Sequence, residues 1–253
     1  MPGYDALMYF HRGIGILLSV VLIPVAAGVR AEDTATASPS ALSAAQIVEH
    51  LQLHNRARTE ALKHYESLRR YSVEYRGFAA DIAAKMDVEA DYDAATGKSF
   101  RIVSQSGSSL LCNKVLKRAI ESEKEAAEDK KSTALTTDNY RFQLAGSESL
   151  DGRPAYILDV EPLTPSKFLY RGKVWVDAAD FMVVKMETEP AKNPSFWISR
   201  ALIHYTGAQT DGFWLPHEVR SETKVRIGGT AVMTIDYGSY QVEPNASHGA
   251  AGF

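Results

Sequence analysis

The sequence predicts a mainly antiparallel β fold with a minor helical part, and three observations carry that prediction. From Tyr71 onward, apolar and polar residues alternate with a period of two in run after run, as half-buried strands do. Short turn signals separate the runs, among them Asp151-Gly152, Asp211-Gly212 and Gly228-Gly229, which suit hairpins between antiparallel neighbours. Two stretches of helical periodicity stand apart from the strands, one before the first and one after the third. A long antiparallel meander must curl or pack against something to bury its inner face. The expected class is therefore α+β, mainly antiparallel β: an incompletely closed β-barrel of about ten strands, with amphipathic helices covering the concave side.

The N-terminus is of a different kind. His11 and Arg12 precede the apolar run GIGILLSVVLIPVAAGV, which ends in small residues and Glu32. A basic flank, a short apolar core and a small-residue exit make residues 1–31 a secretory signal peptide, cleaved after Ala31 or alternatively after Ala27. Met8 offers a second start, closer to Arg12. No cysteine follows the apolar core, which excludes a lipid anchor at that point. Residues 32–42 read as a flexible lead-in, residues 43–243 as the folded domain and residues 244–253 as a disordered tail of small polar residues.

The first helix opens at Ser43. Ser43 and Gln46 form a capping box, and Leu42 and Ile47 stand where a hydrophobic staple requires apolar side chains. Ile47, Leu51, Ala61, Leu62, Tyr65 and Leu68 lie on one helical stripe, which carries the predicted helix to about Arg69. Three strand patterns follow, YSVEYRGF, AAKMDVEADY and KSFRIVSQ. The second helical segment runs from Ser108 to about Lys131. Leu111, Val115, Leu116, Ala119 and Ile120 give its first half an apolar face, while ESEKEAAEDKK is polar all round. Such a segment can rest one end on a surface and leave the other in water.

About seven more strand patterns complete the chain. Alternation nominates three sets of side chains for the inner wall: Tyr140, Phe142 and Leu144; Met182, Val184 and Met186; and Phe213, Leu215 and Val219. Packed core is the competing role for all of them. Leu111, Val115, Leu116 and Ile120 are the corresponding candidates for the inner side of a helical lid.

Composition narrows the function by exclusion. Apolar residues make up 45% of the 253 and charged residues 23%, ordinary globular values. A formal charge of −3 offers no general attraction for nucleic acid. One cysteine, Cys112, precludes an internal disulfide framework and reads as a small buried hydrophobe. There is no G-x-x-x-x-G-K, H-E-x-x-H or G-x-S-x-G motif. His217 and Glu218 are neighbours in a strand pattern and point to opposite faces, so they cannot converge on one metal. Asp177 and Asp180 flank a two-residue gap between strand patterns, where aspartates hydrogen-bond local backbone more readily than they act as an acid–base pair. No catalytic residue, cofactor or metal ligand is nominated.

The order helix, three strands, helix, meander resembles the outer-membrane lipoprotein-sorting (LolA/LolB-like) superfamily. The stretch GKVWVDAADFMVVKMETEPAKNPSFW carries the likeness best, with DGRPAYILDVEP before it and GFWLPHEVRSETKVRIGGTAVMTIDY after it. That resemblance implies an open barrel with a helical lid and an apolar cavity for acyl chains. It further implies a periplasmic protein of a Gram-negative-type bacterium and a non-enzymatic monomer. Its partners would be a lipid or lipoprotein acyl chain and a membrane-associated donor or acceptor protein, not nucleic acid. The same fold serves periplasmic sensors that bind an anti-sigma factor, which is the alternative reading, and a cavity enzyme is a third. The family's functional arginine has no local motif here; Arg69 and Arg70 merely stand at the end of the predicted first helix.

Overall fold

The computed structural model describes residues 42–77, 81–128, 130–193, 196, 198–226 and 228–245. The expected signal peptide, nearly all of the lead-in and all but the first two residues of the expected tail lie outside these. Helix α1 spans Ala44–Ala61 and begins as its capping box requires. Gln46 N donates to Ser43 Oγ at 3.3 Å, and Ser43 N donates to Gln46 Oε1 at 2.9 Å.

The end of α1 corrects the sequence reading. Strand β1 starts at Leu62 and runs to Arg76, so the last eight residues of the predicted helix are extended. Leu62, Tyr65 and Leu68 imitate a helical stripe, but Leu68 faces solvent while Tyr65, Ser67, Arg69 and Tyr71 point inward. Polar side chains occupy two of those inward positions, which hides the period of two.

Ten strands form one antiparallel sheet. After β1 come β2 (Asp81–Asp93), β3 (Gly97–Gly107), β4 (Tyr140–Leu150), β5 (Arg153–Pro162) and β6 (Tyr170–Asp177). Then follow β7 (Val183–Pro190), β8 (Ile198–Thr210), β9 (Phe213–Val225) and β10 (Thr230–Pro244). The spatial order is β3-β2-β1-β10-β9-β8-β7-β6-β5-β4, so every neighbour is consecutive in sequence except β1 and β10. The two edges are β3 and β4, and the chain crosses between them as helix: the barrel is open there. Strand β10 reaches Pro244, and Asn245 N donates to Ala61 O at 2.7 Å, which ties the first residues of the expected tail to the end of α1.

The turns behave as their residues dictate. Asp151-Gly152 adopts φ of 50° and 84°, and Asp211-Gly212 φ of 50° and 81°. Both central residues in the left-handed region define the hairpin turn whose twist matches the flanking strands.

The crossing segment is a helical turn α2 (Ser109–Leu111), a π-helical turn (Cys112–Leu116), helix α3 (Lys117–Glu128) and a short α4 (Lys130–Thr133). It packs on β1, β2 and β3, while α1 packs on β1 and β4. Ile47, Val48 and Leu51 of α1 join Leu111, Cys112, Val115, Leu116, Ala119 and Ile120 in one buried cluster with the inner faces of the strands. Cys112 is buried, as expected of a small hydrophobe. No described helix is long and apolar enough to cross a membrane.

Candidate functional site

The inner wall of the sheet and its helical cover make up the candidate site. Tyr140, Phe142, Leu144, Met186 and Val219 belong to the main apolar cluster or pack against it, and the four lid candidates Leu111, Val115, Leu116 and Ile120 lie within it. Phe213 and Leu215 instead form a smaller cluster with Ala61, Leu62 and Tyr65 at the foot of α1. Met182 is buried beside Phe213 in a narrow pocket. The second set, Met182, Val184 and Met186, does not share one face. A register shift between Trp175 and Val176 makes Val184 the extra residue opposite β6, and Val183 takes the place in the core. A bulge inserts one residue and so breaks alternation.

Beneath the cover lies a buried ionic cluster. Arg69 on β1 extends Nη1 to both oxygens of Glu123 on α3, at 3.1 and 3.0 Å. Lys98 on β3 donates from Nζ to Glu123 Oε1 at 2.9 Å, and Arg69 Nε donates to Ser67 Oγ at 3.3 Å. The Arg69 side chain is 1% exposed and that of Glu123 8%. Its guanidinium carbon lies 4.6 Å from the centre of the Tyr237 ring and 5.4 Å from that of Phe100, placing aromatic faces on the cation. Burial alone would raise the Glu123 carboxyl; Lys98 and Arg69 outweigh it and hold the group at about 2. The half of the segment that reads as polar all round is therefore anchored inward by Glu123.

A corner of the wall supports the other helix. Asp177 N and Met182 O close the β6–β7 hairpin at 2.9 Å, and Asp177 Oδ1 accepts from Ala179 N and Asp180 N at 2.9 and 2.8 Å. Arg153 donates to Asp177 Oδ2 at 2.7 Å and to Asp180 Oδ2 at 2.7 Å, where Trp214 Nε1 also donates, again at 2.7 Å. Both carboxylates are thus occupied in holding the corner, as the hairpin reading of the sequence holds. Burial would raise the Asp177 carboxyl, but Arg153 and the two backbone N–H groups keep it below its ordinary value. Phe181 takes φ of 49°, rare for a residue with a large side chain. Its ring is thereby brought to 4.5 Å from the ring of His50 and 5.5 Å from that of His54, on α1.

Between α1 and this corner is a cavity of about 30 Å³, lined by His54, Arg58, Asp180, Met182, Gln209, Gly212, Phe213 and Trp214. Arg58 Nε is buried there without a hydrogen-bond partner. Burial lowers the guanidinium below its ordinary value, and the ionisable groups acting on it are Tyr205, Tyr65, Tyr92 and Tyr240. Burial also pushes the Tyr205 hydroxyl up to about 12, so it stays protonated beside Arg58. In the sequence this arrangement shows only as a break in the apolar stripe of the helix near His54 and Arg58, one turn before Leu62.

The outer face offers different chemistry. A groove of about 950 Å³ is lined by Arg141, Asp159, Glu161, Arg171, Glu187, Glu189 and Arg200 along with Phe142, Val160 and Leu202. Seven charged side chains make it a poor host for an acyl chain. His64 Nε2 lies 3.7 Å from both Glu66 Oε1 and Asp91 Oδ2, a set of ligand atoms able to hold a cation. His217 lies on β9 as an exposed strand residue.

Comparison with known proteins bears on the fold. The chain matches no protein-family model and no curated protein. Among solved structures, it is similar to a DUF1329 family protein from Desulfovibrio piger, at 16% identity over 83% of this chain and 95% of that one, with a TM-score of 0.43. A candidate outer membrane lipoprotein-sorting protein domain from Vibrio parahaemolyticus is 14% identical over 78% and 92% of the two chains, with a TM-score of 0.40. A LolA superfamily protein from Nitrosomonas europaea is 14% identical over 82% and 96%, with a TM-score of 0.37. Two of the three bear the lipoprotein-sorting or LolA-superfamily name that the sequence resembles. At such distances the functional argument rests on this chain's own geometry.

Proposed function

We propose that this protein is an exported, non-enzymatic carrier or binder of a lipid or lipoprotein acyl chain, held between the inner wall of the open barrel and its helical cover. One observation carries the reading. The apolar inner face of an unclosed sheet is covered by a helical segment that spans the gap between the two edge strands. A barrel with a fixed filling would be served by closure of β3 on β4, which removes both edges. An open barrel with a separate cover keeps a route to its apolar interior.

The cover is built to be released. Its apolar side is continuous with the wall, but its far end is held by Arg69 and Lys98 on Glu123. A buried ion pair gives back much of its attraction in lost hydration, so opening it to water costs less than its short distances suggest. The π-helical turn Cys112–Leu116 sits where the cover leaves β3, and such turns are weak points in a helix. An acyl chain that replaces the apolar side of the cover on the wall regains about 0.8 kcal/mol for each methylene it buries. Tyr140, Phe142, Leu144, Met186 and Val219 are the wall residues it would touch.

The test is direct. Protein purified from the periplasm should carry acyl species in native mass spectrometry, and lipids should displace a hydrophobic fluorophore from the extracted protein. Protein that carries no lipid, and whose fluorophore no lipid displaces, would end this reading.

A further inference from the structure

Arg58 is a half-buried cation whose enclosed Nε has no acceptor, and no anion is paired with it among the described residues. Its side chain leaves the last turn of α1 and enters the cavity beside Met182, Phe213 and Trp214. Among the described residues, Asp180 is the only carboxylate lining that cavity, and it is already shared by Arg153 and Trp214. Arg58 makes no ion pair among the described residues, and its buried Nε has no acceptor. The ionisable groups acting on it are phenols, and one of them, Tyr240, donates to Pro216 O at 2.8 Å. Tyr65 packs its ring at 5.2 Å on Tyr92 and at 5.4 Å on Tyr240, so the surroundings are a compact aromatic cluster.

An uncompensated buried charge is costly, whereas a buried guanidinium facing a carboxylate forms two parallel charge-assisted hydrogen bonds. Only part of the cost is explained by the helix itself, because a cation in the last turn interacts favourably with the carbonyl end of the dipole. The apolar cluster of Leu62, Tyr65, Phe213 and Leu215 adjoins the same cavity. A charged slot opening onto an apolar cluster is the shape of an amphiphile with an anionic end.

We propose that Arg58 recognises the carboxylate of a long-chain fatty acid, with His54 and Gln209 at the rim and the chain running onto the apolar wall. This rests on the acyl-binding reading and names its ligand class. The cavity is small, about 30 Å³, which suits the two oxygens of a carboxylate better than a phosphate with its ester substituent.

The experiment compares dodecanoate, dodecanol and dodecyl phosphate as displacers of a bound hydrophobic fluorophore, on the lipid-extracted protein and at a pH where the acid is ionised. The wild type should bind the acid about ten- to a hundred-fold tighter than the alcohol of equal length, the ratio expected of a charge-assisted pair. Arg58→Met should lose that ratio while keeping its affinity for the alcohol, and Arg58→Lys should keep part of it. Circular dichroism establishes that both variants are folded, and the wild-type acid-to-alcohol ratio decides the matter if one is not. Equal binding of acid and alcohol by the wild type overturns the role of Arg58 and leaves the carrier reading standing. Phosphate bound more tightly than acid overturns the choice of carboxylate. Failure of all three to bind removes the carrier reading and this inference together.

Discussion

Removing the Glu123 carboxylate should be among the most damaging single changes in this protein. The substitution Glu123→Ala would leave the Arg69 guanidinium, 1% exposed, and the Lys98 ammonium, 20% exposed, facing each other beneath the cover without an anion. Breaking a buried pair from one side costs about 3–5 kcal/mol. Titration provides an independent figure. The carboxyl is held at about 2 in the folded protein against an ordinary 4.5, and at about 1.4 kcal/mol per pKa unit that difference corresponds to roughly 3 kcal/mol. Because the folded value is depressed, the stabilisation is fully present above the ordinary value and is lost as pH falls from 4.5 through about 2. A domain of this size loses about 2–4 °C of midpoint per kcal/mol, so Glu123→Ala should melt about 6–20 °C lower at neutral pH. Thermal unfolding followed by circular dichroism measures this, repeated at falling pH, where the gap from wild type should narrow. The triple replacement Arg69→Met, Lys98→Met, Glu123→Leu should recover most of the loss, since an apolar trio of similar bulk needs no hydration. A single mutant within about 2 °C of wild type would refute the reasoning, and so would a triple mutant no better than the single.

Arg58→Met should move stability the other way, raising the midpoint of the lipid-free protein by about 2–8 °C, as relief of an unpaired buried charge by about 1–2 kcal/mol would; a lower midpoint contradicts the burial argument. Asp177→Ala should cost about 2–3 kcal/mol in urea unfolding, because the N–H groups of Ala179 and Asp180 lose their acceptor and Arg153 one of its two carboxylate partners. Gly172→Ala should cost about 2–4 kcal/mol, since φ is 137° and a Cβ would press on Glu187 O and come within 3.0 Å of Thr188 Cα. Denaturant unfolding reads that cost, and an unchanged midpoint would mean that β6 and β7 can separate locally.

What the sequence displays are features whose cause is local. A capping box, two Asp-Gly turns and the Asp177 corner depend on residues within a few positions of one another, and each stands where the pattern places it. Alternation reveals a strand when its inward residues are apolar, as along β4 and β9. It fails on β1, where Arg69 points inward to Glu123, fifty-four residues away, and Ser67 to Arg69 itself. It fails again at Val184, where an inserted residue displaces the register. Of the nominated wall residues, those on β4 and Val219 join the main core, while Phe213 and Leu215 serve the smaller cluster beside Arg58. The two charged features that give the site its character, Arg69–Glu123–Lys98 and Arg58, take their meaning from burial, and burial is a property of the assembled fold.

The pairing of β1 with β10 governs when this protein can exist as a folded object. Tyr71 meets Ile235 and Arg76 meets Thr230 across the seam, so the first strand waits for the last to be made. Until then, β1 to β3 form a three-stranded ribbon with both edges open, and β4 to β9 a separate curved ribbon with no N-terminal partner. Contacts that span nearly the whole domain are slow to form because the loop between them must close first. A chain with this seam stays threadable while it is being synthesised and becomes compact only when it is complete. The order of its strands is itself the delay.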